Sequence, residues 1–186
     1  MPASADSAPA VLRVHSQWTI RPLRPGEEEA AMALVRETFT RWVAPCFSPE
    51  GVAEFLSFAT AEALAKRLAR GHFCLAAQPD GRPDAPLDGL VEVRDASHVC
   101  FLFVRTAAQR QGLARRLLAG AARRCRELDP AVEGLTVNAS PNSREAYLRL
   151  GFAPTGEERT VNGITSTPLR CDLGRPGTPL PFGDPP

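Results

Sequence analysis

Residues 99–104 read Val-Cys-Phe-Leu-Phe-Val, and these six consecutive apolar side chains constrain the fold more than any other stretch of the chain. A run of this length, rich in Val and Phe, predicts a β-strand. Because neighbouring side chains of a strand point to opposite faces, an unbroken apolar run must be covered on both faces. The sequence therefore predicts an α/β fold in which helices pack against both sides of a sheet.

The segments around this strand alternate between helical and strand-like spacing of apolar residues. The predicted order is one strand, two or three helices, three strands, a helix, a strand, a helix and a β-hairpin, with Asn162-Gly163 as the hairpin turn. These elements predict one folded domain over residues 17–173. The Ala/Ser/Pro-rich residues 1–16 are expected to form a flexible leader, and the Pro/Gly-rich residues 174–186 a flexible tail.

Composition argues against several classes of function. Lys and Arg number 22 against 21 Asp and Glu, so the net charge of +1 gives no reason to expect nucleic acid or an anionic membrane as a partner. The five cysteines show no metal-ligand spacing, and their odd number and apolar surroundings indicate reduced thiols of a cytoplasmic protein. No apolar run reaches the ~20 residues of a membrane span. Heavy use of Arg and Ala suggests a bacterial source.

The stretch after the buried strand reads Gln109-Arg-Gln-Gly-Leu-Ala114 and opens a helix predicted to run to about Glu127. Gly112 has no side chain to collide with a ligand, and the first N–H groups of a helix are unpaired and lie at its positive end. This arrangement suits a pyrophosphate, with nearby arginines available for a further phosphate. The alternative is an ordinary strand–turn–helix with a solvated arginine face.

Two motifs in this chain resemble the signatures of the GNAT superfamily of acyl-coenzyme-A-dependent N-acyltransferases. The first is Gln109-x-x-Gly112-x-Ala114 after an apolar strand, and the second is the segment 142–152, in which a helix carrying a Tyr ends in Gly-Phe. The resemblance covers essentially the whole folded unit and implies a mixed, mostly antiparallel sheet with helices on both faces. A dinucleotide-binding fold is disfavoured, because it requires G-x-G-x-x-G and an acidic residue about 20 positions later.

The resemblance implies acetyl-coenzyme A as cosubstrate and no metal. Backbone groups of Leu102–Val104 would pair with the pantetheine amides, and the N–H groups from Arg110 to Arg115 would bind the pyrophosphate. Tyr147, the only tyrosine, matches the tyrosine that protonates the departing thiolate in this family. The implied coenzyme-binding residues are Leu102, Phe103, Val104, Gln109, Arg110, Gln111, Gly112, Leu113, Ala114, Arg115, Ser140 and Asn142.

Three positions depart from the family pattern. Ala114 replaces a Gly found in many members, which is tolerated. Ser140 stands where an Asn is common, which puts one side-chain contact to the coenzyme in doubt. Leu135 stands where some members carry a catalytic Glu, so that this base is missing.

Another base must then act, or none is needed. Glu92, on the strand before the coenzyme-binding strand, is the candidate catalytic carboxylate. The alternative for Glu92 is an ion pair with a nearby Arg, since ion pairs explain many such residues. His98, in the turn that follows, more readily caps backbone groups than acts as a base.

The resemblance implies transfer of an acetyl group to a primary amine. Direct attack without an acyl-enzyme intermediate is expected, because no Cys or Ser has an adjacent general base. The rival is a non-catalytic module that binds acyl-coenzyme A. A third possibility is an acceptor that is a protein N-terminus or side chain. The helices between Gly26 and Gly71 would shape the acceptor pocket, but their sequence does not identify the amine. The expected oligomeric state is a monomer or a homodimer.

Overall fold

The computed structural model describes residues 17–175 and 177–183, so the predicted leader lies outside the described residues. The strands are β1 (Trp18–Pro22), β2 (Phe73–Pro79), β3 (Gly89–Arg94), β4 (His98–Val104), β5 (Gly134–Ala139), β6 (Ala153–Pro154), β7 (Arg159–Val161) and β8 (Ile164–Asp172). The helices are α1 (Glu28–Trp42), α2 (Pro49–Phe58), α3 (Ala61–Leu68), α4 (Leu113–Leu128) and α5 (Arg144–Arg149). In the part of the chain that the structure describes, none of the helices combines the length and apolar character needed to cross a membrane.

The eight strands form a mixed sheet in the order β1-β2-β3-β4-β5-β8-β6, with β7 paired to β8. Neighbours are antiparallel except β4 and β5, which are parallel. The predicted fold class, element order and hairpin at Asn162-Gly163 are therefore confirmed. The two-residue strand β6 was not predicted, because two residues carry no periodicity.

Helices cover both faces of the sheet, as the apolar run in β4 requires. Leu75 and Ala77 of β2 join the core under α4, whereas Cys74 and Ala76 join the core under α1 and α3. Helix α4 buries one apolar face, on which every fourth residue packs against the sheet: Leu113, Leu117, Ala121 and Cys125. Burial of a leucine side chain contributes about 1.5–3 kcal/mol. The alternation along β2 is what fixes each helical layer on its own face.

Two helices begin later than the sequence predicts. Helix α4 begins at Leu113 instead of Gln109, because Arg110 and Gly112 have φ values of 63° and 85° that no right-handed helix can include. Ser140-Pro141 predicts a helix start at this point, but α5 begins at Arg144, after a turn in which the Ser140 carbonyl accepts the Ser143 N–H. Both delays leave a short irregular segment beside the opening described below.

The segment after β8 differs from the prediction of a flexible tail outside the folded unit. Its described residues form no helix or strand, as expected, but Leu180 and Phe182 are buried in the core under α4. Arg126 of α4 donates to the carbonyls of Leu173 and Thr178 at 2.5 and 3.0 Å. These contacts pack the described part of this segment, up to Phe182, against the core.

Candidate active site

The two central strands diverge where the sheet changes from antiparallel to parallel pairing. In the described chain, β4 and β5 pair only at His98↔Thr136 and Val99↔Val137. Beyond Val99 the strands separate, and residues 102–104 lie along the opening. A strand edge without a partner presents backbone N–H and C=O groups with which an extended ligand can pair. The opening therefore lies where the sequence predicts that pantetheine binds.

The backbone between β4 and α4 concentrates hydrogen-bond donors at one point. A Cβ on Gly112 would meet nothing within 4 Å, so this left-handed residue borders open space. The first internal bond of α4 runs from the Arg116 N–H to the Gly112 carbonyl at 3.1 Å. From Arg110 to Arg115, no backbone N–H donates to any group in residues 17–175 or 177–183. Unpaired N–H groups at the positive end of a helix are a suitable site for a phosphate.

The two glutamines of this loop have structural contacts. The Gln109 side-chain amide donates to the Val104 carbonyl at 3.0 Å, which ties the loop to the end of β4. The Gln111 amide donates to the Ala107 carbonyl at 2.8 Å, and Gln111 lines a separate cavity. Gln109 therefore positions the loop, and the Gln111 side chain does not enter the groove predicted for the coenzyme.

A groove of about 490 Å³ follows this loop and the opening. Ten of the predicted coenzyme-binding residues line it: Leu102, Phe103, Val104, Gln109, Arg110, Gly112, Leu113, Ala114, Arg115 and Asn142. Its lining includes the cations Arg110, Arg115 and Arg149 and, among the described residues, no carboxylate. An open Gly112, unpaired N–H groups and three arginines fit a cosubstrate that carries a pyrophosphate.

A second cavity, of about 480 Å³, lies on the other side of the strand opening and is called the acceptor pocket below. It is lined by Val43, Phe47, Glu54, Phe55, Cys100, Phe101, Leu102, Phe103, Val137, Asn138, Ser140, Ser143, Tyr147, Arg159, Val161, Asn162, Ile164, Thr165 and Ser166. Phenylalanine rings form one side of the pocket. Glu54 is the only carboxylate among these residues, and it accepts a hydrogen bond from the Asn162 amide at 3.3 Å.

Tyr147 lies where the groove and the acceptor pocket meet. Five residues line both cavities, namely Val43, Leu102, Phe103, Ser143 and Tyr147. Burial raises the pKa of Tyr147 above its ordinary value, so its hydroxyl is protonated at neutral pH. Among the described residues the hydroxyl makes no hydrogen bond, and the residue as a whole is only 7% exposed. An unpartnered protonated hydroxyl at such a junction can donate to a group that spans both cavities.

Ser140 and Asn142 hold the turn before α5 in place. The Ser140 hydroxyl donates to the Asn142 side-chain oxygen at 2.8 Å, and the Asn142 amide donates to the Trp42 carbonyl at 2.6 Å. The Trp42 indole N–H donates to the Thr106 hydroxyl at 3.2 Å. Ser140 lines the acceptor pocket instead of the groove. Sequence reasoning missed the role of Trp42, because a contact between residues 100 positions apart leaves no local signal.

Glu92 is buried in an ion-pair network rather than exposed in a cavity. Its side chain is 0% exposed, and its two oxygens accept from Arg67 at 2.7 and 2.9 Å. One oxygen also lies 2.8 Å from Nδ1 of His72. Glu92 lines neither cavity. The geometry favours the ion-pair alternative over the predicted role as a base, since Arg67 holds both carboxylate oxygens of Glu92 and neither cavity reaches them.

His72, Glu92 and Cys100 place potential metal-ligating atoms within 4.8 Å of one another. Because Arg67 already occupies both Glu92 oxygens, a cation at this cluster would meet a positive charge. Burial and the nearby Glu92 raise the pKa of Cys100 to about 11, so that its thiol is protonated at neutral pH. The cluster is therefore an ion pair beside a neutral thiol.

Leu135 and His98, the other two positions considered for a base, both lie outside the two cavities. Leu135 is fully buried in the core, so no carboxylate occupies the position where some GNAT enzymes carry a base. His98 lies 2.8 Å from the Thr136 hydroxyl at the closed end of the β4–β5 pair, outside both cavities. Burial lowers the pKa of His98, so the ring is neutral at neutral pH.

Comparison with known families agrees with this arrangement. A family model described as an acetyltransferase (GNAT) domain matches residues 43–173, and the chain therefore belongs to the GNAT acetyltransferase family. The matched segment contains β4, the Gln109–Ala114 loop and Tyr147. Membership supports acyl-coenzyme-A-dependent N-acetyl transfer as the general activity. Comparison with curated protein sequences gave no match.

Solved structures of similar fold come from this family. A GCN5-related N-acetyltransferase from Rhodopseudomonas palustris is 20% identical with a TM-score of 0.70, covering 85% of this chain and 97% of its own. PaiA N-acetyltransferase from Thermoplasma acidophilum, solved with coenzyme A, is 16% identical with a TM-score of 0.68, covering 84% and 99%. The ribosomal-protein-S18-alanine N-acetyltransferase of Escherichia coli is 17% identical with a TM-score of 0.57, covering 86% and 96%. At these identities the likeness shows the fold.

Proposed function

We propose that this protein is an N-acetyltransferase that moves an acetyl group from acetyl-coenzyme A to a primary amine by direct attack. The observation that carries the proposal is the unpartnered Tyr147 hydroxyl at the junction of two cavities. One cavity has the donors and arginines that a coenzyme pyrophosphate needs, and the other has room for an acceptor. The structure of a family member with coenzyme A supports acetyl-coenzyme A as the cosubstrate.

In the proposed reaction, the loop and β4 bind the coenzyme and Tyr147 acts as the acid. The N–H groups from Arg110 to Arg115 bind the pyrophosphate, and the open edge of β4 pairs with pantetheine, which places the thioester at Tyr147. The neutral amine attacks the thioester carbon from the acceptor pocket, and the carbon–sulfur bond then breaks. Tyr147 donates its proton to the departing thiolate and is reprotonated from solvent. The proton lost by the amine passes to water in the pocket, since Glu92 is held by Arg67.

Direct attack follows from the state of the thiol in the acceptor pocket. Cys100 is the only cysteine among the residues that line that pocket. With a pKa raised to about 11, it supplies almost no thiolate at neutral pH, and the thiolate is the nucleophilic form. An acyl-enzyme intermediate on Cys100 is therefore disfavoured.

Tyr147→Phe tests the proposal. The variant keeps the ring and the fold, and we expect unchanged affinity for acetyl-coenzyme A in calorimetry. Release of coenzyme A thiol should show kcat lowered by about 10²–10⁴, the usual contribution of general acid catalysis. Because burial raises the pKa of Tyr147, the wild-type kcat should not fall between pH 7 and about 9. A phenylalanine variant with the wild-type kcat would contradict the assigned mechanism.

The second candidate, a non-catalytic module that binds acyl-coenzyme A, is favoured by one observation. Leu135 stands in place of a base, and Glu92 is not available as another. Such a module would bind acetyl-coenzyme A without releasing thiol in the presence of any amine. A panel of amines and peptides assayed for thiol release separates the two functions.

Cellular location, source and oligomeric state are proposed from the sequence. We place the protein in the cytoplasm of a bacterium, as a monomer or homodimer without a resident metal. The five cysteines are all free, and three of them are buried, which supports a reducing compartment. The domain limits proposed from the sequence need one change, since Leu180 and Phe182 belong to the folded unit.

A further inference from the structure

Four phenylalanines, Phe47, Phe55, Phe101 and Phe103, line one side of the acceptor pocket. The Phe55 and Phe101 centroids are 5.5 Å apart at 49°, and the Phe101 and Phe103 centroids are 5.8 Å apart at 69°. Phe47, Phe55 and Phe103 are only partly buried, because each ring borders the open space of the pocket. Rings at these angles accept a further ring in the same offset or edge-to-face arrangement.

Helix α2 and the β7–β8 hairpin contact each other at one side of the acceptor pocket. The first turn of α2 contacts the β7–β8 turn so closely that a Cβ on Gly51 would overlap the Gly163 carbonyl. The Glu54–Asn162 hydrogen bond of 3.3 Å joins the same two elements. An extended peptide would have to separate α2 from the hairpin to cross the pocket. A volume of about 480 Å³ lies within the range of small-molecule sites.

Polar side chains line the pocket in two places, on α2 and the β7–β8 hairpin and again beside the strand opening. Ser140, Ser143 and Tyr147 line the pocket beside the strand opening, where the thioester would lie. An acceptor therefore needs an amine at that end and an apolar body against the rings. We propose that the acceptor is a small primary amine carrying one aromatic ring on a short aliphatic linker. This inference rests on the proposed function and names the class of amine for the same site.

A panel of four amines tests the class. Thiol release is measured with 2-phenylethylamine, with 2-cyclohexylethylamine as the saturated ring of equal carbon count, with spermidine, and with a short peptide bearing a free N-terminal Ala. We expect kcat/KM for 2-phenylethylamine to exceed the values for spermidine and the peptide by at least about tenfold. Its advantage over the cyclohexyl amine should be about 2- to 10-fold, the range for aromatic pairing. A higher kcat/KM for spermidine or the peptide would overturn the inference.

A pair of variants tests whether the preference for an aromatic amine depends on the phenylalanines of the acceptor pocket. Phe47→Leu keeps an apolar side chain in the pocket and removes a ring, and Phe58→Leu is the control. Phe58 lies at the end of α2, is 49% exposed and lines neither cavity. We expect Phe47→Leu to remove the advantage of 2-phenylethylamine over 2-cyclohexylethylamine, with Phe58→Leu unchanged. If 2-phenylethylamine keeps its advantage in Phe47→Leu, or loses it equally in both variants, the ring of the substrate does not pack on Phe47.

A binding measurement separates this inference from the proposed function. If no amine in the panel releases thiol, the proposed function fails. Calorimetric titration of the coenzyme-A-loaded protein with 2-phenylethylamine then decides the acceptor class. Binding that is weakened in Phe47→Leu and unchanged in Phe58→Leu would support it. Absence of binding, or tighter binding of spermidine, would overturn it.

Discussion

The groove that fits the coenzyme and the acceptor pocket lie on either side of Tyr147, but they are built from different parts of the chain. The groove takes about half of its lining from one continuous segment, residues 102–115, which contains the left-handed Gly112, and the rest from residues 38–43 and 142–150. The acceptor pocket is formed by side chains of four separated segments, residues 43–55, 100–103, 137–147 and 159–166. The fold can therefore keep the cosubstrate while the acceptor changes, because substitutions on the pocket side leave the loop backbone intact.

The strongest test of this division is a change confined to the groove. Acetyl-coenzyme A at 100 times its Kd should stabilise the wild type by ~2.7 kcal/mol, or about 5–10 °C in Tm. Gly112→Glu places a carboxylate beside the expected pyrophosphate, and like charges in contact cost several kcal/mol. We expect no shift in Tm for this variant in thermal denaturation with the coenzyme.

The matched control for that change is Gly81→Glu. Gly81 also has a positive φ, 69°, and a Cβ there would meet nothing within 4 Å, but it lies in the β2–β3 turn away from the groove. Both variants should lose some stability from backbone strain, whereas only Gly112→Glu should lose the coenzyme shift. A normal shift in Gly112→Glu would remove the phosphate site from this loop.

Loss of the buried Glu92–Arg67 ion pair, which lies outside both cavities, should lower the stability of the fold and leave the catalytic rate unchanged. Glu92→Gln leaves Arg67, whose side chain is 16% exposed, without its buried partner. Breaking such a pair costs about 3 kcal/mol, which corresponds to a fall in Tm of about 6–12 °C. We expect kcat of the folded variant to stay close to wild type at every pH measured.

The control is Glu62→Gln, which removes an exposed pair with Lys66. Water and salt screen such an exposed pair, so its Tm should change little. A Glu92→Gln variant that is stable but loses kcat/KM at low pH would return Glu92 to the role of a base.

The contrast between the two cavities also explains how much the sequence could predict. The buried strand, the loop and Tyr147 lie within about fifty residues, and each carries a local signal in spacing or glycine placement. The start of α4 was misplaced because the left-handed conformation of Arg110 has no signature in the sequence. The ion pair of Glu92 with Arg67 depends on a side-chain contact across the fold, which no spacing rule reports.

The acceptor pocket offers fewer signals still. Sequence reasoning assigned the region 26–71 to the acceptor, but it could not say which of its phenylalanines belong to the core. Phe39 is fully buried, whereas Phe55, stacked on it at 3.7 Å, also lines the pocket. The two rings lie on different helices, α1 and α2, and each lies on an apolar stripe of its own helix, so the sequence pattern does not distinguish a core ring from a pocket ring. Substrate class is therefore a property of the assembled fold.

The smallest expected effect concerns the charge of the acceptor pocket. Glu54 is partly exposed, and Arg159 lines the same pocket and opposes its field, so Glu54→Gln should raise KM for 2-phenylethylamine by only about 2- to 5-fold. The uncharged analogue 2-phenylethanol, used as a competitive inhibitor, should bind the variant as it binds the wild type. Glu50→Gln, on the exposed side of the same helix, is the control and should change neither constant. Equal weakening of amine and alcohol would show that Glu54 acts by holding Asn162 and the pocket closure, and not by its charge.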